Sequence, residues 1–313
     1  MLAIVCPGQG SQTPGFLSPW LEVPGVSEHL AELSAITERD LTAHGTVSDE
    51  ETIKDTAVAQ PLIVAAGLVA ARALFGGALP ANTVLAGHSV GEITATALAG
   101  ALSEQDAMVF VRERANAMAL AAAATPTGMA AVLGGDAEEV NASIIAAGLT
   151  PANANGGGQI VAAGTLEQIE AFAANPPAKA RVIPLKVAGA FHTHHMAPAV
   201  AVLEKLSETL EARDPGIPLL SNFDGAPVAG GAANLASLVA QVSRPVRWDK
   251  CMEQMAALGV TGIIELAPAG TLVGLARRGL KGVPTLALKS PADLEAARAF
   301  VLEHTQAQEA TKP

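Results

Sequence analysis

The residues best suited to covalent chemistry are at positions 87–91, where the sequence is Gly-His-Ser-Val-Gly. This G-x-S-x-G pattern follows a short apolar run and precedes a segment with the composition of a short buried helix, which is the context of a nucleophile elbow. The flanking glycines allow a strained turn that presents the hydroxyl, and a helix N-terminus adds partial positive charge near a developing oxyanion. The pattern predicts Ser89 as a nucleophile. A serine that only caps the helix is the alternative.

A serine hydroxyl needs a base within hydrogen-bond reach, and histidine is the commonest base. Of the seven histidines, His192 follows a turn-like segment and is chosen as the base. His194 and His195 make a metal cluster with it conceivable, but no matching set of carboxylates or cysteines accompanies them. His88 lies inside the elbow and is expected to brace the turn. The predicted catalytic pair is therefore Ser89 and His192.

An acidic residue that orients the histidine would lie between Ser89 and His192 in an α/β-hydrolase. Asp136 and Glu167 do lie there, but in a segment with a different pattern of strands and helices. Backbone carbonyls are therefore expected to orient His192.

A second glycine-rich turn follows the first apolar run, where residues 8–12 are Gly-Gln-Gly-Ser-Gln. It lacks the Lys-Ser/Thr ending of a P-loop and the third glycine of a dinucleotide fingerprint. Short backbone of this kind can approach an acyl carbonyl, so the N–H groups of Gln9 and Val90 are predicted to form an oxyanion hole. An ordinary strand-to-loop turn explains the pattern equally well.

One arginine is a candidate for binding an acidic substrate. Arg114 lies on a helix predicted over residues 107–124. The guanidinium of arginine can bind a carboxylate through two parallel hydrogen bonds (bidentate binding), and a buried arginine needs such a partner. From the residues alone, Arg112 and Arg114 fit surface ion pairs better.

Charge and cysteine content exclude some classes of function. Asp and Glu number 30 against 19 Lys and Arg, a net charge of -11, which argues against a nucleic-acid-binding surface. Cys6 and Cys251 have no CxxC spacing and are expected to be reduced core residues. An acidic partner would need a local basic patch. A candidate lies near the C-terminus, and a solvated, charged helix face is the alternative explanation for it. That candidate patch is Arg277, Arg278, Lys281 and Lys289.

The apolar stretch over residues 62–79 is interrupted by three glycines and by Arg72. No apolar run therefore reaches the ~20 residues of a membrane span. The first residues also lack the charged region of a signal peptide. A cytoplasmic protein is expected.

The elements that must position these residues predict an α/β fold. Apolar runs at residues 2–6 and 83–87 each end in a glycine-rich turn and alternate with helices. This alternation predicts a mostly parallel sheet covered on both faces, of the hydrolase-like kind. From about residue 128, six segments follow the order βαββαβ of a ferredoxin-like module. A hydrolase-like lobe with a smaller inserted lobe follows from the two patterns.

We expect the large lobe to comprise residues 1–125 and 190–313, and the small lobe residues 126–189. Turn-like sequences at residues 125–128 and 188–190 are the expected hinges. The remaining predicted elements are helices at 198–210, 244–258 and 292–303 and strands at 217–221 and 262–266.

Together these motifs resemble the malonyl-CoA:acyl carrier protein transacylase family, the stand-alone acyltransferases of type II fatty acid synthesis. The resemblance covers essentially the whole chain. The matching positions are residues 7–12 and 87–92, Arg114, residues 153–155 with Gln159, Phe191 with His192, residues 245–248, and residues 265–268 with Gly270.

The resemblance implies that malonyl passes from malonyl-CoA to the phosphopantetheine thiol of acyl carrier protein by a ping-pong route. The pathway it implies is fatty acid synthesis, with polyketide synthesis left open as a second one. It implies that Ser89 is acylated, that His192 activates it and that Arg114 binds the free malonyl carboxylate. It assigns the oxyanion donors to the backbone of Gln9 and Val90. No cofactor, metal, nucleic acid or membrane is implied, and a monomer is the family expectation.

The resemblance also implies that a main-chain carbonyl near Arg247 orients the histidine, and that Asn153 and Asn155 line the cleft between the lobes. Two departures stand out: glycines at residues 156–158 where many relatives have a proline, and Arg247 where Gln or Asn is frequent.

Specificity for malonyl is implied by two neighbours of the catalytic pair. Related polyketide acyltransferases that select malonyl have a small aliphatic residue after the nucleophile and Phe before the histidine, as Val90 and Phe191 are here. Phe191 would crowd the extra methyl of methylmalonyl, a discrimination typically worth ~1 to 3 kcal/mol.

Two alternatives use the same residues. A serine esterase or thioesterase would release free acid and tolerate loss of Arg114. A non-catalytic carrier-binding module would not need Ser89, His192 and Arg114, which are all present.

Overall fold

The computed structural model describes residues 1–187 and 189–306, and its strands form two sheets. The strands are β1 (Leu2–Cys6), β2 (Thr83–Gly87), β3 (Thr127–Gly134), β4 (Thr150–Gly156), β5 (Gln159–Thr165), β6 (Ala180–Pro184), β7 (Leu219–Leu220), β8 (Val246–Arg247), β9 (Gly262–Glu265) and β10 (Thr285–Ala287).

Helices cover the sheets and connect most of the strands. They are α1 (Val26–Thr37), α2 (Leu41–Thr46), α3 (Glu50–Lys54), α4 (Thr56–Phe75), α5 (Gly91–Leu98), α6 (Glu104–Ala124), α7 (Ala137–Ala146), α8 (Leu166–Ala174), α9 (Ala197–Ser207), α10 (Gly231–Gln241), α11 (Trp248–Ala257), α12 (Thr271–Gly279) and α13 (Leu294–Gln306).

The larger core surrounds a parallel sheet with the strand order β10-β9-β1-β2-β7. Successive side chains of a strand point to opposite faces. In β1, Leu2 and Ile4 pack in one buried cluster and Ala3 and Val5 in another. Both faces of this sheet are therefore covered, which confirms the predicted α/β class with a mostly parallel sheet.

Helix α4 is the central helix of the larger cluster. By length and composition it could cross a membrane, but 78% of its most apolar window is buried inside the protein. The sequence predicted that glycines and Arg72 would interrupt this apolar stretch too often for a membrane span. The structure instead has one helix of 20 residues, because Gly67 is accommodated within it. Burial in the core explains why this helix is apolar on all sides.

The second sheet has the order β6-β3-β5-β4-β8. Its first four strands pair antiparallel and follow the chain order β3-α7-β4-β5-α8-β6. Val132, Ile144 and Phe172 pack in its own apolar cluster under α7 and α8. Strand β8, which comes much later in the chain, pairs with β4 in parallel and completes this sheet.

Two predicted elements differ from the structure. The helix predicted over residues 244–258 begins only at Trp248, because Val246 and Arg247 pair with β4 as strand β8. The predicted strand at 217–221 is reduced to Leu219–Leu220, since proline at 218 has no N–H for a ladder. Of the predicted second hinge, Ala188 lies outside the described residues, as do residues 307–313 of the predicted large lobe.

Candidate active site

Ser89 lies in a sharp turn between β2 and α5. Its φ of 53° is in the left-handed region that non-glycine residues seldom adopt. A Cβ added to Gly91 would overlap the carbonyl oxygen of Cys6, so the turn packs directly on the backbone at the end of β1. The glycine is therefore needed for close approach. Strain of this kind, held by the surrounding backbone, is common at functional sites.

The Ser89 hydroxyl lies 2.8 Å from Nε2 of His192. The other ring nitrogen, Nδ1, is 2.9 Å from the backbone carbonyl of Gln241. Because a carbonyl only accepts, Nδ1 carries the proton and Nε2 is the acceptor for the serine. The sequence-predicted pair is brought together in the protonation state that a general base requires.

The backbone groups that hold the His192 ring lie in the segment just before Arg247. The carbonyl of Gln241 accepts from Nδ1, and the backbone of Arg244 also hydrogen-bonds the ring. Arg247 lies in β8, where its N–H donates to the carbonyl of Asn222 and its side chain pairs with Asp249. The orienting carbonyl belongs to Gln241, the last residue of α10. Carbonyls in the last turn of a helix have no partner within the helix and are free to accept from a side chain.

Burial, and after it the positive charge of Arg114, lower the pKa of His192 to about 3. The imidazole is 3% exposed, so its charged form loses the solvation that it would have in water. His192 is therefore neutral, and able to accept a proton, throughout the neutral and mildly acidic range.

We expect the rate at which malonyl-CoA acylates Ser89 to be flat between about pH 8 and pH 5. A lowered pKa preserves the base form as pH falls, whereas an ordinary histidine would lose half of it near about pH 6.5. The measurement is a single-turnover pH profile of Ser89 acylation. Burial raises the pKa of Glu92 to about 7, so Glu92→Gln is the control. A half-loss near pH 6.5 that persists in this variant would contradict the assignment to His192.

Arg114 also lies close to the nucleophile. Its side chain is fully buried on α6, and one terminal nitrogen is 3.4 Å from the Ser89 hydroxyl. The guanidinium donates to the side-chain oxygens of Gln60 at 2.6 Å and Gln241 at 2.8 Å. Its Nε donates to no residue that the structure describes. Its hydrogen-bond partners are neutral, so a charge remains beside Ser89 that a carboxylate could neutralise.

The pKa of Arg114 is lowered to about 9 by burial, against an opposing effect of the Glu92 carboxylate. Glu92 is itself 1% exposed and accepts from the side chain of Gln241 at 2.6 Å. The amide of Gln241 thus lies between the two buried ionisable groups. It separates them while bonding to each.

Asn222 holds the backbone of the elbow through two hydrogen bonds. Its side-chain oxygen accepts from the N–H of Ser89 at 2.7 Å, and its side-chain nitrogen donates to the carbonyl of Gly87 at 2.7 Å. Sequence reasoning missed Asn222, Gln241, Gln60 and Glu92 as parts of the site. Of these four, Asn222 could have been found from the sequence, because it follows a predicted strand and strands of a parallel sheet end at the same edge as Ser89.

The two predicted oxyanion donors lie on adjoining turns. The backbone N–H groups of Gln9 and Val90 donate to no residue within 1–187 and 189–306. A Cβ on Gly8 would lie 2.8 Å from the carbonyl oxygen of His88, which shows how closely the first loop approaches the elbow. Free N–H groups from two apposed loops can bind an oxyanion.

A cavity of about 200 Å³ opens beside Ser89. Asn153, Asn155 and Phe191 line it, as the sequence predicts for the cleft. Asn155 bonds to Nε2 of His88 at 2.8 Å, so His88 braces the elbow against the second sheet. The side chain of Val90 is fully buried in the core and does not line this cavity. Of the two residues that the resemblance connects with malonyl selection, Phe191 lines the cavity and Val90 does not.

Comparisons with known proteins give a consistent result. Residues 3–308 match the acyl transferase domain family. A Mycobacterium tuberculosis protein named malonyl CoA-acyl carrier protein transacylase is 50% identical over 297 residues, covering 94% of this chain and 98% of that protein. The Bacillus subtilis protein of the same name is 33% identical over 305 residues, covering 95% of this chain and 96% of that protein.

Solved structures agree with these relatives. A crystal structure of MCAT from Mycobacterium tuberculosis has a TM-score of 0.90 at 50% identity, and covers 95% of this chain and 99% of that one. A malonyl-transacylase in complex with a type II PKS acyl-carrier protein has a TM-score of 0.87 at 31% identity, with coverage of 95% and 99%.

Proposed function

Since this chain belongs to the malonyl CoA-acyl carrier protein transacylases of the acyl transferase family, we propose that it carries the malonyl group as an ester on Ser89. The enzyme moves malonyl from coenzyme A to acyl carrier protein in fatty acid synthesis. The observation that carries the proposal is the contact of the Ser89 hydroxyl with His192 at 2.8 Å, with Arg114 at 3.4 Å.

In the first half of the reaction, His192 Nε2 takes the Ser89 proton as the hydroxyl oxygen attacks the thioester carbonyl. The resulting oxyanion accepts from the N–H groups of Gln9 and Val90. The imidazolium is stabilised by the carbonyl of Gln241 at Nδ1. When the carbon–sulfur bond breaks, His192 returns the proton to the sulfur and coenzyme A leaves as a thiol. An ester remains on Ser89.

The second half repeats these steps in reverse. The phosphopantetheine thiol of the carrier gives its proton to His192 and attacks the ester carbonyl. The carbon–oxygen bond breaks, and His192 returns the proton to Ser89. A thioester is consumed and a thioester is formed, so the chemistry requires no redox or metal cofactor. Arg114 holds the malonyl carboxylate through both halves, which keeps the acyl carbonyl aligned for the thiol.

We also assign residues 126–189 to a ferredoxin-like small lobe and the rest to a hydrolase-like large lobe. The antiparallel order β6-β3-β5-β4 and the separate apolar cluster support this division. A monomer in the cytoplasm, without nucleic-acid or membrane partners, completes the proposal. Arg277 and Arg278 lie in the last turn of α12, whose first turn lines the cavity, and we propose that they contact an acidic carrier.

Intact-protein mass spectrometry tests the proposed function. Mixing with malonyl-CoA is expected to add one malonyl group to the wild-type enzyme and none to Ser89→Ala. Adding phosphopantetheinylated carrier should then move that group to the carrier. Loss of the adduct to water before the carrier is added would instead indicate an esterase.

A further inference from the structure

Glu92 is a buried carboxylate that takes no part in the proposed reaction steps. It lies three residues after Ser89 in the chain and is 1% exposed. The side chain of Gln241 donates to it at 2.6 Å, and the backbone N–H of Asn222 at 3.3 Å. These donors are neutral, and a carboxylate is costly to keep ionised in the protein interior.

The charge state of Glu92 depends on few neighbours. In the part of the chain that the structure describes, the titratable side chains that interact with it are Arg114 on α6 and Cys251 on α11. Burial raises the pKa of the Cys251 thiol, so this group carries no charge. Burial raises the pKa of Glu92 to about 7, against the opposing effects of its hydrogen bonds and of the Arg114 charge. A change in the charge around Arg114 therefore changes the ionisation of Glu92 at neutral pH.

Two serine hydroxyls give Glu92 a partner in either charge state. The Ser221 hydroxyl bonds to the Glu92 carboxylate, and its oxygen lies 3.1 Å from that of Ser237. A hydroxyl both donates and accepts. Ser221 can therefore donate to an ionised carboxylate, or accept from a protonated one while it donates to Ser237.

This pair of hydroxyls also leads towards the protein surface. Ser237 is partly exposed and lines a small pocket together with the exposed side chains of Phe223 and Arg244. Rotation of the two hydroxyls can pass a proton between this pocket and Glu92. Glu92 is therefore buried from water but connected to it by groups that carry protons.

We propose that Glu92 takes up a proton from solvent when malonyl enters the site and returns it when malonyl leaves. This rests on the proposed function, in which the malonyl carboxylate binds to Arg114. The free site holds one buried cation and one buried anion, and the amide of Gln241 lies between them. The malonyl carboxylate adds a second buried anion beside the same cation. Protonation of Glu92 returns the number of negative charges to one.

The direction of the pH dependence follows from linkage. The charge of Arg114 lowers the pKa of Glu92, and malonyl offsets that charge, so the pKa of Glu92 is higher in the malonyl-bound enzyme. A ligand that raises a pKa binds more weakly as pH rises above the pKa of the free enzyme. The malonyl carboxylate is the same in the ground and transition states. The effect therefore appears in the apparent Kd and leaves the acylation rate at saturating malonyl-CoA unchanged.

Proton uptake is measured on the wild-type enzyme, in weak buffer with a pH indicator, as malonyl-CoA acylates Ser89. We expect uptake of about half a proton per malonyl group at pH 7.5, and less than about a fifth at about pH 6, where Glu92 is already protonated. The apparent Kd of malonyl-CoA in single-turnover acylation should rise about fivefold from pH 6 to pH 8. Acetyl-CoA is the matched donor, because it releases the same thiol and has no carboxylate. It should show neither effect.

Two variants assign the uptake to Glu92. Glu92→Gln stays neutral and can donate to Ser221 as the protonated acid does, so the uptake and the pH dependence of the apparent Kd should both be lost. Glu113→Gln removes a partly exposed carboxylate that pairs with Arg112 on the same helix as Arg114, and should keep both. If Glu92→Gln does not fold, Ser221→Ala removes the acceptor of the protonated acid and should reduce the uptake.

The outcomes separate this role of Glu92 from the proposed function. Equal proton uptake with malonyl-CoA and acetyl-CoA would overturn the role while Ser89 is still acylated. Uptake that persists in Glu92→Gln, or in Ser221→Ala if the first variant is unfolded, would also overturn it. Absence of a malonyl adduct on wild-type Ser89 would instead refute the proposed function. A thermal unfolding curve like that of wild type confirms that each variant is folded.

Discussion

Replacing His192 with alanine is expected to slow the acylation of Ser89 by malonyl-CoA about a thousandfold. The hydroxyl then has no acceptor in the position now occupied by Nε2, and the proton must leave to water. Arg114, the other group within hydrogen-bond distance of the hydroxyl, can only donate. Quenched single-turnover reactions analysed by intact-protein mass spectrometry measure the rate directly.

The matched control is His194→Ala, two residues along the chain. The His194 ring is exposed and stacks on His195, with ring centres 4.1 Å apart. Its loss should change the acylation rate less than about twofold. If His192→Ala acylated Ser89 as fast as this control, His192 could not be the base. Ser89→Ala gives the background, since it has no hydroxyl to acylate.

The position of the nucleophile could be predicted because the signals for it are local. An apolar strand, a glycine-flanked turn and a short helix are all encoded within about twenty residues, and each depends on near neighbours in the chain. The same is true of β1 and its turn at Gln9. A parallel sheet covered on both faces then follows, because apolar strands that alternate with helices have few other ways to bury both sides.

The groups that hold the nucleophile could not be predicted in this way. Asn222 and Gln241 lie 133 and 152 residues from Ser89 in the chain, and each bonds to its backbone. A single polar residue at the end of a strand or helix has no periodicity to mark it. The pattern around residues 245–248 also predicted a helix, because the pairing of β8 with β4 depends on a strand about ninety residues earlier.

Long-range packing also decided how His192 is oriented. Arg247 itself pairs with β4 as part of β8. The C-terminus of α10 supplies the carbonyl of Gln241, and the backbone of Arg244 adds a second hydrogen bond to the ring. Helix ends are suited to this task, since their last carbonyls have no helical partner.

Gln241 links the base to the charged groups of the site. Its backbone accepts from His192, its side-chain oxygen accepts from Arg114, and its side-chain nitrogen donates to Glu92. The amide cannot ionise, so it neither neutralises Arg114 nor competes for the serine proton. Arg114 therefore keeps a charge beside the Ser89 hydroxyl that is not directly paired with Glu92. A buried charge without a direct ionic partner is costly and is best explained by an anionic ligand.

This arrangement predicts that Arg114→Ala will lower malonyl transfer at least about a hundredfold, because the malonyl carboxylate loses a buried, charge-assisted partner. Acetyl has no carboxylate, so its transfer should fall less than about fivefold. The comparison is kcat/KM for malonyl-CoA against acetyl-CoA with the same carrier. Arg114→Met, which retains much of the side-chain volume, should show the same selectivity if charge rather than packing is responsible.

Arg112→Ala is the control for the helix. Arg112 lies two residues earlier on α6 and is partly exposed, where it pairs with Glu38 and Glu113. Surface ion pairs contribute little, so both substrates should be transferred at nearly the wild-type rate. Equal losses of malonyl and acetyl transfer in Arg114→Ala would show that Arg114 supports the fold of the site rather than the carboxylate. A loss confined to malonyl can arise only if the guanidinium interacts with the group that distinguishes the two substrates.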